Sequence, residues 1–312
     1  MSISDIDKAY YQMYNQTIKR KGAVAKMNEI KRKKVTIPYL QGKKGKGEII
    51  TMAGFGDYPN AIAADRAGLD IACVSDATSM TLFGRDTTLT VPFEEELTMV
   101  QAVARGIKYA LIMADMPYMS YHLSKEQAIK SAGRFVSEGR ADVMKCEATR
   151  YIAGNIEAII RVAGIPVMGH IGLTPMREIQ MGGFRAIGTT AEEAKSLIED
   201  AHIMQEIGCF ALLLEVVPQE LAKIITEKLS IPVISLGAGP YCDGVHIIAG
   251  DMLGVHDGYV PKHSKVYTNL LETMEQVYKS YRDDVVTANY PEAKHNVSMK
   301  PGEHERLMEM LK

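Results

Sequence analysis

Six acidic, basic or imidazole side chains interrupt or close short apolar runs of the chain. The stretch VMKCEA shows the pattern clearly, because Lys145 and Glu147 stand inside a run that is otherwise apolar. Residues two apart on a strand point to the same side, so both charges would lie on one face. The other members of the set close neighbouring runs and are Asp76, Asp115, His170 and Glu215.

These residue types indicate acid–base chemistry around a cation. A single strand-terminal Asp is usually a turn or helix cap, but here five successive runs carry polar residues at their ends. Four carboxylates and one lysine in one place would repel each other unless a cation joined them. Oxygen ligands favour a hard ion such as magnesium, which keeps several waters. Lys145 would then face an anionic substrate and Glu147 the metal shell.

Seven apolar runs must position these residues, and each is continuous, as in strands covered on both faces. Amphipathic stretches lie between most of them, and two begin with capping boxes, at Ser124 with Gln127 and at Thr190 with Glu193. Alternating strands and helices predict a parallel α/β protein. The runs are EIITMAGF, IACVSD, YALIMADMP, DVMKCEA, PVMGHIGL, ALLLEVV and PVISLGAG.

Two parallel architectures fit this order, a doubly wound sheet and a (β/α)8 barrel. No G-x-G-x-x-G motif follows the first run, which argues against a dinucleotide-binding fold. We predict an α/β fold with one (β/α)8 TIM-type barrel over residues 35–282, after a helical and basic segment (1–34) and before a tail packed on the barrel (283–312). The eighth strand is predicted near Val255–Val260. Active sites of such barrels lie at the C-terminal ends of the strands.

Composition excludes several classes of protein. The net charge of −2 argues against a general nucleic-acid binder. No apolar run approaches the roughly 18 residues of a membrane span, and the polar start MSISDIDKAYYQMYNQ lacks a signal core. We therefore expect a cytoplasmic protein with neither a membrane nor a nucleic-acid partner. Four distant cysteines are interpreted as reduced structural thiols, and the basic stretch IKRKKVTIPYLQGKKGKGEI as a solvated segment.

Nine longer stretches resemble the ketopantoate hydroxymethyltransferase family. The resemblance implies a barrel of the phosphoenolpyruvate mutase and isocitrate lyase group, which binds 2-oxo acids on magnesium. It also implies transfer of a hydroxymethyl group from the co-substrate 5,10-methylenetetrahydrofolate to 3-methyl-2-oxobutanoate, giving 2-dehydropantoate for pantothenate biosynthesis. The stretches, in the family's order, are DYPNAIAADRAGLD, VSDATSMTLFGRDTTLTV, ADMPYMSY, VMKCEA, PVMGHIGLTP, GGFRAIG, LLLEVVPQELAKIIT, IPVISLGAGPYCDG and VPKHSKVYTNL.

Site roles follow from the same resemblance, residue by residue. Asp76 and Asp115 resemble ligands of Mg²⁺, or a similar divalent cation, and also contact the substrate. Glu147 resembles an outer-shell carboxylate that holds metal-bound water. Lys145 resembles the cation that meets the substrate's oxygens. His170 resembles a hydrogen-bond partner near the transferred group. Glu215 resembles the general base.

Because the chain departs from the family pattern at two positions, the resemblance does not fix the identity of the substrate. Ala77 stands where the family usually has a serine that helps to seat the substrate carboxylate, although its amide remains; Thr78 and Ser79 are alternative hydroxyl donors. Met176 replaces the usual glutamine. A related barrel enzyme doing aldol or lyase chemistry on another 2-oxo acid, and a non-catalytic paralogue, stay open alternatives. The family's ring assemblies imply a homo-oligomer, with a decamer as the expected form.

Overall fold

Eight parallel strands close into a barrel in the computed structural model, which describes residues 32–312. Each strand pairs with the next along the chain, which confirms the predicted (β/α)8 class, and the seven apolar runs form the first seven strands. The strands are β1 (Ile50–Gly54), β2 (Ile71–Val74), β3 (Leu111–Asp115), β4 (Val143–Glu147), β5 (Val167–Gly172), β6 (Ala211–Glu215), β7 (Val233–Leu236) and β8 (Gly244–Ile248).

Helices follow most strands, and their starts agree with the sequence. Ser124 accepts a hydrogen bond from the Gln127 N–H at 3.1 Å, and Thr190 accepts one from Glu193 at 3.2 Å, as the capping boxes predict. The helices are α1 (Ile37–Lys46), α2 (Tyr58–Ala67), α3 (Asp76–Phe83), α4 (Phe93–Gly106), α5 (Lys125–Ser137), α6 (Ala153–Arg161), α7 (Glu178–Met181), α8 (Ala191–Glu206), α9 (Gln219–Lys228), α10 (Ala249–Leu253), α11 (Leu270–Val286) and α12 (Glu303–Met310).

The barrel interior is apolar along the strands and polar at their C-terminal ends. Met113 on β3, Val143 on β4, Met168 on β5 and Leu213 on β6 are buried in one hydrophobic cluster. Alternate strand residues share a face, so the next inward position after each of these is polar. The side chains of that upper layer are Asp115, Lys145, His170 and Glu215.

Helix α1 holds the opposite end of the barrel. Lys43 donates to Asp70 and Lys44 to Asp243, each at 2.7 Å, and all four side chains are largely buried. Asp70 precedes β2 and Asp243 precedes β8, so both pairs lie where strands begin. The interpretation of this basic stretch as solvated is therefore wrong for Lys43 and Lys44. The sequence alone could not reveal these ion pairs, because Asp70 and Asp243 lie far away in the chain.

The prediction of the eighth strand near Val255–Val260 is also wrong. The strand is β8, and it follows β7 after residues 237–243 with no helix between them. Without a helix in front of it, β8 lacks the amphipathic stretch that lies before most of the other strands. The predicted site contains Asp257 and Gly258 and forms bends rather than a strand, as these residues favour.

Two short 3₁₀ segments meet above the C-terminal ends of the strands. Thr88–Thr90 lies between β2 and α4, and Pro175–Arg177 follows β5. The two segments are in contact although their strands are not neighbours in the barrel. Both segments therefore lie at the end of the barrel that carries the polar layer.

The chain divides into two compact units, of which the first ends at Ile247 and the second is Ile248–Lys312. In the second unit Asp251 accepts a hydrogen bond from Ser264 at 2.8 Å and lies 3.0 Å from Nε2 of His256. The boundaries predicted after residues 34 and 282 stay predictions, and most of segment 1–34 lies outside the described residues. None of the helices described within residues 32–312 has the length and apolar character to span a bilayer.

Candidate active site

The six residues singled out from the sequence gather at the C-terminal ends of five neighbouring strands. Asp115 and Glu215 are the last residues of β3 and β6, and Asp76 begins α3 just after β2. Lys145 and Glu147 lie on β4 and His170 on β5. All of them except Glu215 are buried, and the Glu215 side chain is 14% exposed. The predicted site is therefore assembled in one place.

The Lys145–Asp115 ion pair is a direct result of strand register. The two residues are partners in the β3–β4 ladder, and Nζ lies 2.8 Å from Oδ2. Burial alone would lower the pKa of Lys145, but the charge of Asp115 opposes it, and the pKa is raised overall. The thiol of Cys73 lies 3.4 Å from the other oxygen of Asp115. Lys145 therefore stays charged inside the barrel.

His170 and Glu215 form the second close pair of the site. Nε2 of His170 lies 3.0 Å from Oε2 of Glu215. Burial, and then the charge of Lys145, lower the pKa of His170 well below 6.5, so the ring is neutral near pH 7. The neutral ring therefore lies against the carboxylate and restricts the positions that it can take.

Glycine at position 172 makes the position of Glu215 possible. Gly172 has φ of 99°, and a Cβ there would collide with the backbone oxygen of Glu215. The same oxygen accepts the N–H of Leu173 at 2.8 Å, which joins the ends of β5 and β6. A side chain at Gly172 would therefore push the end of β6, and with it Glu215, away from His170.

Glu147 anchors the segment that covers the site. The N–H of Met176 donates to both carboxylate oxygens, at 3.2 and 3.0 Å. Burial, and then the charge of Asp76, raise the pKa of Glu147 well above its ordinary value. Tyr121 donates to the backbone oxygen of Glu147 at 3.0 Å and contacts the sulfur of Met176 at 3.7 Å. The backbone of Met176 makes the bond to Glu147, so the departure from glutamine does not remove it.

The residues that follow Asp76 include Ala77, where the family usually has a serine. Ala77 donates its N–H to the Asp76 carboxylate at 2.7 Å. The Ser79 hydroxyl donates to the Asp76 backbone oxygen at 2.7 Å, whereas the buried Thr78 hydroxyl has no hydrogen-bond partner within residues 32–312. Burial, and then the charge of Asp115, raise the pKa of Asp76 to about 7. Thr78 is therefore the better placed of the two to replace the serine.

The donor set fits a hard divalent cation held by few protein ligands. Among residues 32–312, no group of three or more His, Cys, Asp and Glu side chains is arranged to hold a metal ion. Asp76 and Asp115 nevertheless place two carboxylates close enough to raise the pKa of Asp76, a repulsion that a cation would relieve. Mg²⁺ is usually bound by one or two carboxylates together with waters and substrate oxygens. The predicted ligand roles stay predictions.

Sequence reasoning missed two buried ionisable residues near the site. Glu96 on α4 is fully buried, and it shares the buried face of that helix with Val100 and Val103 at helical spacing, which is the signal that could have revealed it. His246 on β8 is buried while its neighbour Val245 is half exposed. Burial, and then the charge of Lys145, lower the pKa of His246 to about 3.

Curated proteins are similar to this chain over most of its length. Two relatives, each named 3-methyl-2-oxobutanoate hydroxymethyltransferase, are 42% identical to it. The one from Syntrophobacter fumaroxidans aligns over 88% of this chain and 96% of its own length. The one from Moorella thermoacetica aligns over 85% and 98%.

Solved structures share the fold at low sequence identity. A phosphonopyruvate hydrolase in complex with oxalate and Mg++ matches with a TM-score of 0.55 and 14% identity, over 88% of this chain and 99% of the other. A 2,3-dimethylmalate lyase of the PEP mutase/isocitrate lyase superfamily matches with a TM-score of 0.53 and 13% identity, over 88% and 96%. The barrel is therefore of the type found in that superfamily.

The family model for ketopantoate hydroxymethyltransferase matches residues 34–293, which include the whole barrel and every residue of the candidate site. This match covers most of the chain, as do the relatives at 42% identity. The resemblance read from the nine stretches is thereby confirmed. The chain belongs to the ketopantoate hydroxymethyltransferase family, and the protein is a hydroxymethyltransferase.

Proposed function

We propose that the protein transfers the one-carbon group of 5,10-methylenetetrahydrofolate to 3-methyl-2-oxobutanoate and forms 2-dehydropantoate, a step of pantothenate biosynthesis. The observation that carries the proposal is the buried contact of His170 with Glu215 beside the Lys145–Asp115 ion pair. A C–H next to a ketone is a weak acid, so its removal needs a positioned base and fixed positive charge. The names of the curated relatives support the choice of substrate.

Asp76 and Asp115 would hold a divalent cation, Mg²⁺ or similar, with Glu147 in its outer shell. Bound there, the cation would supply positive charge to the keto oxygen and carboxylate of the substrate. The donor chemistry of the two carboxylates supports this assignment. So does a protein of the same fold whose crystals contain oxalate and Mg++.

The chain's own residues account for the proton transfer. Lys145, kept charged by Asp115, attracts the anionic substrate into a buried site. Glu215 takes the proton from carbon 3, and neutral His170 holds that carboxylate in place. General base catalysis of this kind contributes about 10²–10⁴-fold to the rate. The activated carbon then forms a C–C bond to the folate's methylene carbon while one of the two C–N bonds of that carbon breaks, and the freed nitrogen takes the proton from Glu215. Water then gives hydroxide to the methylene carbon and a proton to the second nitrogen as the remaining C–N bond breaks, which releases tetrahydrofolate and leaves the hydroxymethyl group.

A product assay tests the proposal. The purified protein is incubated with 3-methyl-2-oxobutanoate, 5,10-methylenetetrahydrofolate and Mg²⁺, and 2-dehydropantoate is followed by mass spectrometry, beside reactions that contain other 2-oxo acids. We expect a folate-dependent product whose mass is one CH₂O unit above that of the 2-oxo acid. The absence of such a product from every 2-oxo acid would contradict the proposal.

A second candidate is the same chemistry on a different 2-oxo acid. Ala77 favours it, because the hydroxyl that the family uses to seat the substrate carboxylate is lost at that position. One hydrogen bond to a charged group contributes about 1.5–3 kcal/mol, which is enough to weaken the binding of 3-methyl-2-oxobutanoate tenfold or more without removing the chemistry. Product from another 2-oxo acid in the same assay, and little from 3-methyl-2-oxobutanoate, would select this candidate.

We also propose that the protein assembles as a homo-oligomer, with a decamer as the expected form. Helix α11 supports this, because it carries an exposed apolar stripe at helical spacing. Contiguous exposed apolar surface of this kind often marks an interface, and a second copy offers the same stripe for a symmetric contact. The residues of the stripe are Leu271, Met274, Tyr278, Tyr281 and Val285.

A further inference from the structure

A buried thiol lies beside the candidate site and has no part in the proposed proton transfer. Among the described residues of the barrel's hydrophobic cluster, Cys73 alone has a side chain that can donate a hydrogen bond. It is fully buried on β2. It stands two residues after Ile71, another member of the cluster, so its thiol points into the barrel.

The thiol meets Asp115 across the β2–β3 ladder. Sγ of Cys73 lies 3.4 Å from Oδ1 of Asp115. The other oxygen faces Lys145, whose Nζ lies 2.8 Å from Oδ2. An ordinary thiol is protonated near pH 7, so the thiol donates and the carboxylate accepts. Each oxygen of Asp115 therefore has its own donor, one from β2 and one from β4.

Strands rather than loops carry both donors. Cys73 is the ladder partner of Gly54 on β1 and of Met113 on β3, so its backbone is held from both sides. Lys145 is the ladder partner of Asp115 itself. Groups built on strands keep their positions more precisely than groups on loops. Together, the thiol and the ammonium group can therefore fix the plane of the Asp115 carboxylate.

We propose that Cys73 is a positioning residue, which holds one oxygen of Asp115 and so keeps this carboxylate oriented as a cation ligand. The inference rests on the proposed function, because it assumes that Asp115 holds a cation. Without the thiol, the carboxylate can turn both of its oxygens toward Lys145. That turn would weaken the hold of Asp115 on the cation and leave Lys145 less free to attract the substrate.

Cys73→Val and Cys73→Ser test the proposal, with Cys146→Val as the control. Valine resembles cysteine in shape but has no donor, whereas serine keeps one. Cys146 is a buried thiol on β4. It stands between Lys145 and Glu147, which point inward, so it points out of the barrel.

Two measurements are made on these proteins. Infrared difference spectra between the wild type and each valine variant isolate the S–H stretching band of the thiol that was replaced. Titration with Mn²⁺, followed by electron paramagnetic resonance, gives the affinity for a cation without any assay of activity. The affinities are compared at one temperature, well below the melting temperature of every variant.

We expect the band of Cys73 at a lower frequency than that of Cys146, because donation to a carboxylate gives the stronger hydrogen bond and weakens the S–H bond more. Cys73→Val should bind Mn²⁺ about tenfold more weakly than the wild type, Cys73→Ser should stay within about threefold of it, and Cys146→Val should match it.

Three results would each overturn the proposal: equal band positions for the two thiols, unchanged Mn²⁺ affinity in Cys73→Val, or equal losses in Cys73→Val and Cys73→Ser. The last would show that the thiol only fills space. The expected bands and affinities in a wild type that exchanges no C3 hydrogen of 3-methyl-2-oxobutanoate would contradict the proposed function and leave the role of Cys73 standing.

Discussion

A lysine inside a barrel keeps its charge only when an anion faces it. Lys145 has Asp115 at 2.8 Å, and Asp76 is a further source of negative charge. The same carboxylates that hold the lysine charged are the predicted ligands of the cation. The single positive charge of Lys145 cannot neutralise both Asp76 and Asp115, and that imbalance is the physical basis for expecting a second cation beside it.

Replacing Asp76 tests that expectation without any assay of activity. We predict that Asp76→Ala binds Mn²⁺, used as a paramagnetic substitute for Mg²⁺, at least tenfold more weakly than the wild type, because one of two carboxylate ligands is lost. Titration followed by electron paramagnetic resonance measures the affinity. The fold should survive, since among residues 32–312 the Asp76 carboxylate bonds only to the neighbouring Ala77 N–H. Equal Mn²⁺ affinity in both proteins would remove Asp76 from the metal site, and Glu94→Ala serves as the exposed control.

At the scale of elements, β8 shows how a short strand is built into a closed barrel. A Cβ at Gly244 would lie 2.6 Å from the backbone oxygen of Ile50, so glycine permits the close approach of β8 to β1. Beyond it, Val245 is half exposed, whereas His246 is buried and points inward. The strand therefore places an imidazole, rather than an aliphatic side chain, inside the barrel.

The burial of His246 predicts a loss of stability in acid. Its pKa falls from 6.5 to about 3 on folding, so between these values the unfolded chain binds a proton that the folded chain does not. The free energy of unfolding therefore decreases as the pH falls from 6.5 toward 3, by up to about 1.4 kcal/mol per pH unit from this residue. His246→Gln should flatten the decrease.

Urea unfolding at pH 7, 6, 5 and 4 measures this slope. A residual slope is expected from His170, whose pKa is also lowered by burial. His304→Gln is the control, because His304 is exposed and its loss should leave the slope unchanged. Identical slopes for the wild type and His246→Gln would contradict the account of β8.

The sequence predicted the elements whose signals are local. Continuous apolar runs located seven strands, and the polar residues that close five of them, such as Asp115 and Glu215, located the site. The missing information is non-local. Nothing near Lys43 in sequence shows that Asp70 pairs with it, and β8 lacks the preceding helix that would have marked it. Glu96 was missed because three consecutive glutamates at a helix start suggest a solvated, dipole-stabilising turn.

At the scale of the whole molecule, helix α11 in the second unit carries exposed apolar side chains that favour association with another copy of the chain. The exposed stripe of α11 recurs every three or four residues, the spacing of helices that pair with other helices. We predict that the protein sediments as an assembly heavier than the 34.4 kDa chain. Replacing Met274 and Tyr278 together by glutamate should reduce the mass, because charges in an apolar interface are costly.

Analytical ultracentrifugation compares the wild type, this double variant and Glu275→Gln. Glu275 lies on the same helix and pairs with Lys279 outside the stripe, so its variant should keep the mass of the wild type. A wild-type protein that sediments as a monomer would contradict the proposed assembly. A double variant with unchanged mass would place the interface elsewhere.

The central claim is that Glu215, oriented by His170, removes the proton from carbon 3 of a 2-oxo acid. The most direct measurement is the exchange of that hydrogen in 3-methyl-2-oxobutanoate, followed by proton NMR in D₂O with Mg²⁺ and without folate. We predict exchange by the wild type and a rate at least about 10²-fold lower in Glu215→Gln, with substrate affinity changed by less than about threefold. Exchange at the wild-type rate in Glu215→Gln would contradict the claim.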